Sequence, residues 1–407
     1  MTITTTAPAP APETAAETAD ATAADTAATP LTPSPAIDLR WLSEADMIAA
    51  GVTDMAACVD TMSEMFRALS AGDFRMGGEN NNSHGAMILF PDAPEHEGMP
   101  ANADDRRFMA MPAYLGGSFR TAGVKWYGSN TDNRALGLPR SIHVFVLNDK
   151  DTGAPLAIMS GNLLSAYRTG AVPGVGARHF ARADSKVVGL IGPGVMNRTS
   201  LEAFVVACPG LTTVKVKGRG RASLEAFVGF VHERFPQLDV QVVDTVEEAV
   251  RGSDIVSMAT TGGTGSATYP RIETEWISPG TFLSLPSYVT FDDDFLAGGA
   301  RTVVDSWGLY EAWAEETPFP HHEAIGIVGN RFTDLVEMGR LERSAVEELG
   351  DVVAGRTPGR TSDDEIVLLS VGGMPVEDVA WATTVYRTAV EHGIGTPLNL
   401  WERPALA

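Results

Sequence analysis

Ser185-Lys-Val-Val-Gly-Leu-Ile-Gly192-Pro-Gly194-Val-Met-Asn197 is the stretch that decides the fold. Its first half is an apolar run, the composition of a strand buried on both faces. Two glycines then turn the chain sharply, and residues 196–208 read as a helix. Gly192 permits the turn, and Gly194 lets the backbone approach a pyrophosphate lying at the helix N-terminus, where unpaired N–H groups and the helix dipole favour an anion. Val195, Met196 and Asn197 complete the candidate phosphate loop, with Asn197 standing where a third glycine of the dinucleotide fingerprint is expected. The competing reading is a glycine turn with no nucleotide. The strand–turn–helix setting argues against it.

Working outward, strands are expected at 213–217, 240–243, 254–259, 281–285 and 302–305. Helices at 163–183, 222–234 and 246–251 alternate with them. That rhythm predicts a doubly wound α/β parallel sheet with crossovers covering both faces. The second strand runs into Lys217-Gly218-Arg219-Gly220-Arg221-Ala-Ser223. An NAD site expects an acid there for the ribose 2′-hydroxyl, and none is present. Gly218, Arg219, Arg221 and Ser223 suit a 2′-phosphate instead, so NADP(H) is preferred and NAD(H) stays possible. Thr260, Thr261 and Ser287, which follow later strands of the same sheet, complete the candidate cofactor set.

Ahead of the alternating region, 42–72 reads as helical, with Ser43 and Asp46 as caps. Short strands are expected at 86–90, 108–112, 122–127 and 142–148, separated by turns, the pattern of an antiparallel sheet. After residue 337 come helix and loop, one apolar strand at 365–370 and a helix at 376–393. Residues 1–36 are almost wholly Ala, Thr, Pro, Glu and Asp, and read as a disordered acidic tail. The division is therefore 1–36, 37–160, 161–336 for the dinucleotide-binding domain, and 337–407.

The whole sequence has 30 basic against 52 acidic residues, a net charge of −22, which disfavours nucleic acid and anionic lipid as partners. It holds no run of 18 apolar residues, so no membrane partner is expected. Cys58 and Cys208 form no CxxC pair, which fits a reducing, cytoplasmic setting and offers no zinc framework. His143 lies in an apolar strand and reads as a core histidine. The pair His321-His322 has no identifiable metal partners, so no metal site is expected.

Several motifs in order resemble the ornithine cyclodeaminase/μ-crystallin family: Gly123-Val-Lys125-Trp126, Gly137-Leu-Pro139, Leu147-Asn-Asp149, Ser165-Ala-Tyr-Arg168-Thr169-Gly170-Ala171, the glycine turn, and Ser362-Asp363-Asp364-Glu365-Ile366. The resemblance implies a homodimer. Each subunit would pair a Rossmann domain with a substrate and dimerisation domain of α+β type, made from the N-terminal part and the returning C-terminal segment. It implies that Lys125 is the active-site lysine, that Arg168 binds a substrate carboxylate, and that Thr169 contacts a cofactor phosphate. The residues themselves agree: a lysine among apolar neighbours, if buried, has a lowered pKa suited to proton transfer. An arginine on a small apolar helix needs an anion, either from the substrate or from a carboxylate of the protein. Arg140 is a candidate for a second anion contact.

The sequence also departs from the family. Ser287 or Tyr288 occupies the place of the aspartate that cyclodeaminases use, and Asp292–Asp294 reads as a helix cap. The family's early arginine is replaced by Asn-Asn-Asn-Ser-His84, which makes His84 and Tyr288 candidates for substrate binding. The expected function is an NAD(P)-dependent oxidoreductase acting on a C–N bond of a small anionic amino-acid-like or imine substrate. The alternatives are a cyclodeaminase-type lyase that releases ammonia with bound NAD+, and a non-catalytic NADP(H)- or ligand-binding protein of μ-crystallin type.

Overall fold

A computed structural model describes residues 36–260, 263 and 265–406. The expected acidic tail, apart from Ala36, and the candidate Thr261 lie outside the described residues.

The first sheet is built from β1 (Ile37–Leu42), β2 (Phe74–Met76), β3 (Ala86–Leu89), β4 (Arg107–Leu115), β5 (Thr121–Ser129), β6 (Ser141–Asp149) and β7 (Pro155–Ser160). The second takes β8 (Val187–Ile191), β9 (Thr213–Lys217), β10 (Asp239–Val242), β11 (Ile255–Met258), β12 (Phe282–Leu285), β13 (Arg301–Val304), β14 (Val346–Glu348) and β15 (Val367–Ser370). A last strand, β16 (Thr396–Trp401), returns to pair with β1 in the first sheet.

The second sheet is parallel throughout, in the order β10-β9-β8-β11-β12-β15-β13-β14. Its strand order reverses at β8, the glycine-turn strand. Helices cover it because parallel strands need crossovers, so β11, β12 and β15 are buried at every position. The fold is the expected α/β doubly wound one. Two strands from beyond residue 337, β14 and β15, belong to this parallel sheet: β15, an apolar run buried on both faces, sits between β12 and β13, and β14 forms the edge beside β13.

The first sheet is ordered β16-β1-β7-β6-β5-β4-β2, with β3 against β4. It is mixed, since β1 runs parallel to β7. Sequence reading missed β1, β2, β7 and β16, and assigned Leu42 to a helix. The expected helix over 42–72 is in fact two, Glu44–Ala49 and Met55–Ser70, separated where Gly51 takes a φ of 87°. Ser43 and Asp46 form a reciprocal capping box at the first. Between the two sheets lie the helices Met55–Ser70, Asn162–Phe180 and Pro375–Glu391, whose packing places the site.

Candidate active site

Tight packing beside the first βα turn positions the nucleotide end of the site. Gly192 has a φ of 101°, and a Cβ on it would stand 2.2 Å from the Ala259 carbonyl oxygen, so only glycine fits. Gly194 differs. Its φ is −78°, open to any residue, and a Cβ there would meet no protein atom within 4 Å. The space above Gly194 is kept clear of protein at the start of the helix Val195–Ala207, whose first N–H groups receive no side-chain cap. That is the cradle a pyrophosphate requires. Nearby, the Thr260 hydroxyl is buried with no partner. A nicotinamide nucleotide fits the residues present.

Other cofactor candidates have structural roles. Asn197 is fully buried; its amide donates to the carbonyls of Ile191 (3.0 Å) and Gly192 (2.8 Å) and accepts from Ser257 (2.8 Å). It braces the turn from within, taking the helix–strand packing role of the missing third glycine, with its side-chain amide engaged by protein groups. Ser287 donates to the Met258 carbonyl and accepts from the Thr260 N–H, tying the ends of β11 and β12 together. Gly218 packs against Leu224 and Pro193. Arg221 pairs with Glu225 on the outer face of its helix, and Ser223 donates to the Gly220 carbonyl. Arg219 is exposed at the tip of β9, next to the glycine turn.

A groove of about 500 Å³ runs from this turn past Val195, Thr260, Ser287 and Thr169. It continues into an inner cavity of about 190 Å³, the two sharing Arg140, Ser141, His143, Ser165, Thr169 and Met196. The opening lies at the carboxyl ends of β8, β11 and β12, where the strand order reverses, the place at which such sheets bind ligands.

Lys125, on β5, closes the inner cavity. Its Nζ donates to Asp378 (2.9 Å) and to the Ser165 hydroxyl (3.2 Å), and the residue is 2% exposed. Burial and the neighbouring Arg168 charge outweigh Asp378 and bring the lysine down to about 8. Arg168 projects from the helix Asn162–Phe180. Its Nε donates to Asp378 (3.0 Å) and its Nη1 to Glu377 (2.5 Å). The anion Arg168 requires is thus supplied by the protein, and Nη2 is the nitrogen that no described residue takes. Both carboxylates are fully buried. Burial raises Glu377 to about 7, while the two cations hold Asp378 below its usual range.

Glu377 and Asp378 are the residues that sequence reading missed. They stand in the first turn of the helix Pro375–Glu391, where acids ordinarily serve the helix dipole. Sequence offered no signal for them: that Pro375–Thr383 are all buried, so that charges there demand partners, appears only in the structure. His84 also reaches the cavity. Its Nδ1 donates to the Gly373 carbonyl (2.8 Å), which leaves Nε2 as an acceptor, and burial with the Lys125 charge lowers it to about 4. His143 lines the cavity, as well as belonging to a strand, and its Nδ1 has no partner. Arg107 and Tyr127 line it too and were not singled out from sequence. Tyr288 instead packs on Tyr269, with ring centroids 4.9 Å apart, and is absent from the lining. Both histidines of the 321–322 pair are held by protein groups, His321 by Glu337 and His322 by the Val289 carbonyl.

Known proteins resemble this chain in sequence and fold. The chain is 28% identical over 369 residues to N-((2S)-2-amino-2-carboxyethyl)-L-glutamate dehydrogenase of Staphylococcus aureus, covering 89% of this chain and 99% of that one. It resembles the structure of Thermococcus litoralis Δ(1)-pyrroline-2-carboxylate reductase in complex with NADH and L-proline, with a TM-score of 0.71 and 26% identity over 88% of this chain and 99% of the other. An archaeal alanine dehydrogenase dimer with bound NAD gives a TM-score of 0.69 and 25% identity, over 90% and 100%. The sequence model of one family matches residues 51–393. That span takes in the whole parallel sheet and every side chain of the cavity, and on it the chain belongs to the ornithine cyclodeaminase/mu-crystallin family.

Proposed function

We propose that the protein is an NAD(P)-dependent oxidoreductase of a C–N bond, reducing an imine or ketimine, or oxidising the corresponding amine, of a small amino-acid-like anion. The observation that carries this reading is Lys125: a buried amine brought to about 8, lining the inner cavity into which the nucleotide groove opens. The bound nicotinamide supplies or accepts a hydride at its C4. Lys125 gives the nitrogen its proton in the reducing direction and takes it in the oxidising direction, a role that needs a pKa near the working pH. Asp378 and Ser165 aim the Nζ. The open Nη2 of Arg168 holds the substrate carboxylate, its guanidinium fixed by Glu377 and Asp378. A seat already oriented in this way removes much of the entropic cost of bringing reactants together.

Two finer points belong to the same proposal. NADP(H) is the preferred nucleotide, on the strength of Arg219 at the tip of β9 and the lack of an acid there. A homodimer is supported by the outer face of the first sheet, where Phe108 stacks on Trp126 at 5.8 Å beside exposed Ile142 and a hollow of about 630 Å³.

The test follows absorbance at 340 nm and released ammonia together, over amino acids with NAD(P)+ and imines with NAD(P)H. Net nucleotide conversion matching product is expected. Ammonia release without net conversion would make the protein a lyase, a reading that the non-acidic Ser287-Tyr288 position disfavours.

A further inference from the structure

The face of the first sheet that carries Lys125 holds a second polar group at its other end. Side chains two apart on a strand share a face, so Lys125, Tyr127 and Ser129 line up on β5. In the β4–β5 register they stand opposite Met111, Met109 and Arg107. The Tyr127 ring lies between the ends, its centroid 5.8 Å from Lys125 Nζ and 5.8 Å from the Arg107 guanidinium carbon. Along the strand, Lys125 and Ser129 are about 13 Å apart.

At that far end one carboxylate serves two guanidinium groups. Asp105 is bonded by Arg107 and, at 2.9 Å, by Arg140, and it also accepts from Ser129 (2.5 Å). Asp105 neutralises only one of the two charges. The Arg107 Nε is buried with no partner. Arg107 and Arg140 both line the same cavity as Lys125. In a chain of net charge −22, two arginines that share one carboxylate leave a net positive charge on the cavity wall, with side chains 27% and 43% exposed. Arg140 is accordingly pushed below its usual value, by burial and then by the Arg107 charge.

We propose that Arg107 and Arg140, held apart by Asp105, form a second anion seat, so that the substrate carries another carboxylate several bonds from the C–N bond placed at Lys125. This rests on the C–N reading above. The guanidinium forks match a carboxylate with paired hydrogen bonds. A neutral side chain of the same length would offer the buried Arg107 Nε no acceptor, which builds selectivity against it.

The experiment measures Kd by calorimetry on the full chain saturated with NADP+. Ligands are L-glutamate, L-2-aminoadipate and L-2-aminopimelate, each beside a chain-matched neutral partner, L-glutamine, L-norleucine and L-2-aminoheptanoate. At least one acid is expected to bind about tenfold more tightly than its partner, the scale of one charge-assisted contact. Arg140→Ala, at a side chain 43% exposed, and Arg107→Lys are each expected to reduce that ratio to about threefold or less. No preference for any acid, or a preference that survives both variants, overturns the proposal. Nucleotide conversion is read in the same mixtures. Its absence with every compound, while the acid preference and its loss in the variants persist, would remove the C–N reading and leave the second seat standing.

Discussion

The phosphate turn and the buried charge cluster occupy two ends of one continuous opening, and they are built in opposite ways. Most of what shapes the turn lies close together in the chain: Gly192, Gly194 and Asn197 within six positions, and Lys217 accepting from the Gly192 N–H a short crossover later, with Ser257 and Ala259 as the distant contributors. The cluster draws Lys125 from β5, Arg168 from one helix, and Glu377 and Asp378 from another more than two hundred residues away. The turn works through empty space and backbone, whereas the cluster works through charges that exist only as a set. Damage to the turn should therefore cost binding. Damage to the cluster should cost chemistry and stability together.

The sharpest way to break that contrast is Lys125→Ala. We expect kcat/KM to fall about a thousandfold, within the range for loss of a general acid–base group, while the Kd for the nucleotide stays within about threefold. In the intact protein, amine oxidation should rise as pH passes about 8, where Lys125 becomes the neutral base. Imine reduction should fall over the same interval, since it needs the ammonium. A matched pair of pH profiles checks both signs.

Asp378→Asn probes the cluster as a set. It leaves Lys125 with Ser165 and Arg168 with Glu377, and breaking a buried pair in this way costs about 3–5 kcal/mol of stability, read by urea denaturation. Removing the negative charge also lowers the Lys125 pKa further, so the oxidative inflection should move to lower pH. An unchanged melt with an unchanged inflection would show that the cluster does not act as one unit.

At the turn, the two glycines should separate cleanly. Gly194→Val is expected to weaken nucleotide binding by about thirtyfold or more with little change in melting temperature, because its Cβ meets no protein. Gly192→Ala should lower the melting temperature as well, since φ and the Ala259 carbonyl both oppose it. Smallest is the effect of Arg219→Ala: NADPH affinity should drop about tenfold and NADH affinity less than about twofold, measured by fluorescence titration. Equal losses would rule out Arg219 as a 2′-phosphate contact.

The same contrast explains what could be read from sequence. The turn and the strands flanking it were legible because their signals are local: an apolar run, a pair of glycines, a helix of the right length. The motifs around Lys125, Arg168 and Thr169 singled out three residues that line the cavity, Thr169 with its hydroxyl on the Ser165 carbonyl. Glu377 and Asp378 were not legible, because an acid in a first helical turn has an adequate local explanation and nothing nearby shows that this turn is buried. Arg107 was hidden for a related reason, since its neighbour Asp105 is the partner any local reading would assign. Asn197 runs in the other direction. Its position in the fingerprint pointed to the cofactor, yet the side chain turns inward and is consumed by the turn it supports. The strands β1 and β16 pair with each other across more than 350 residues, and no window along the chain contains both.

Long separation also sets an order in time. Lys125 meets Asp378 across a sequence separation of 253, and contacts of such high sequence separation are the last and slowest to form. During synthesis the glycine turn and its neighbouring strands emerge well before the helix Pro375–Glu391. A nascent chain can therefore assemble a nucleotide groove while its lysine and arginine still lack the carboxylates that aim them. Reactivity arrives only with the last long helix, which acts as a built-in delay between holding a redox nucleotide and using it.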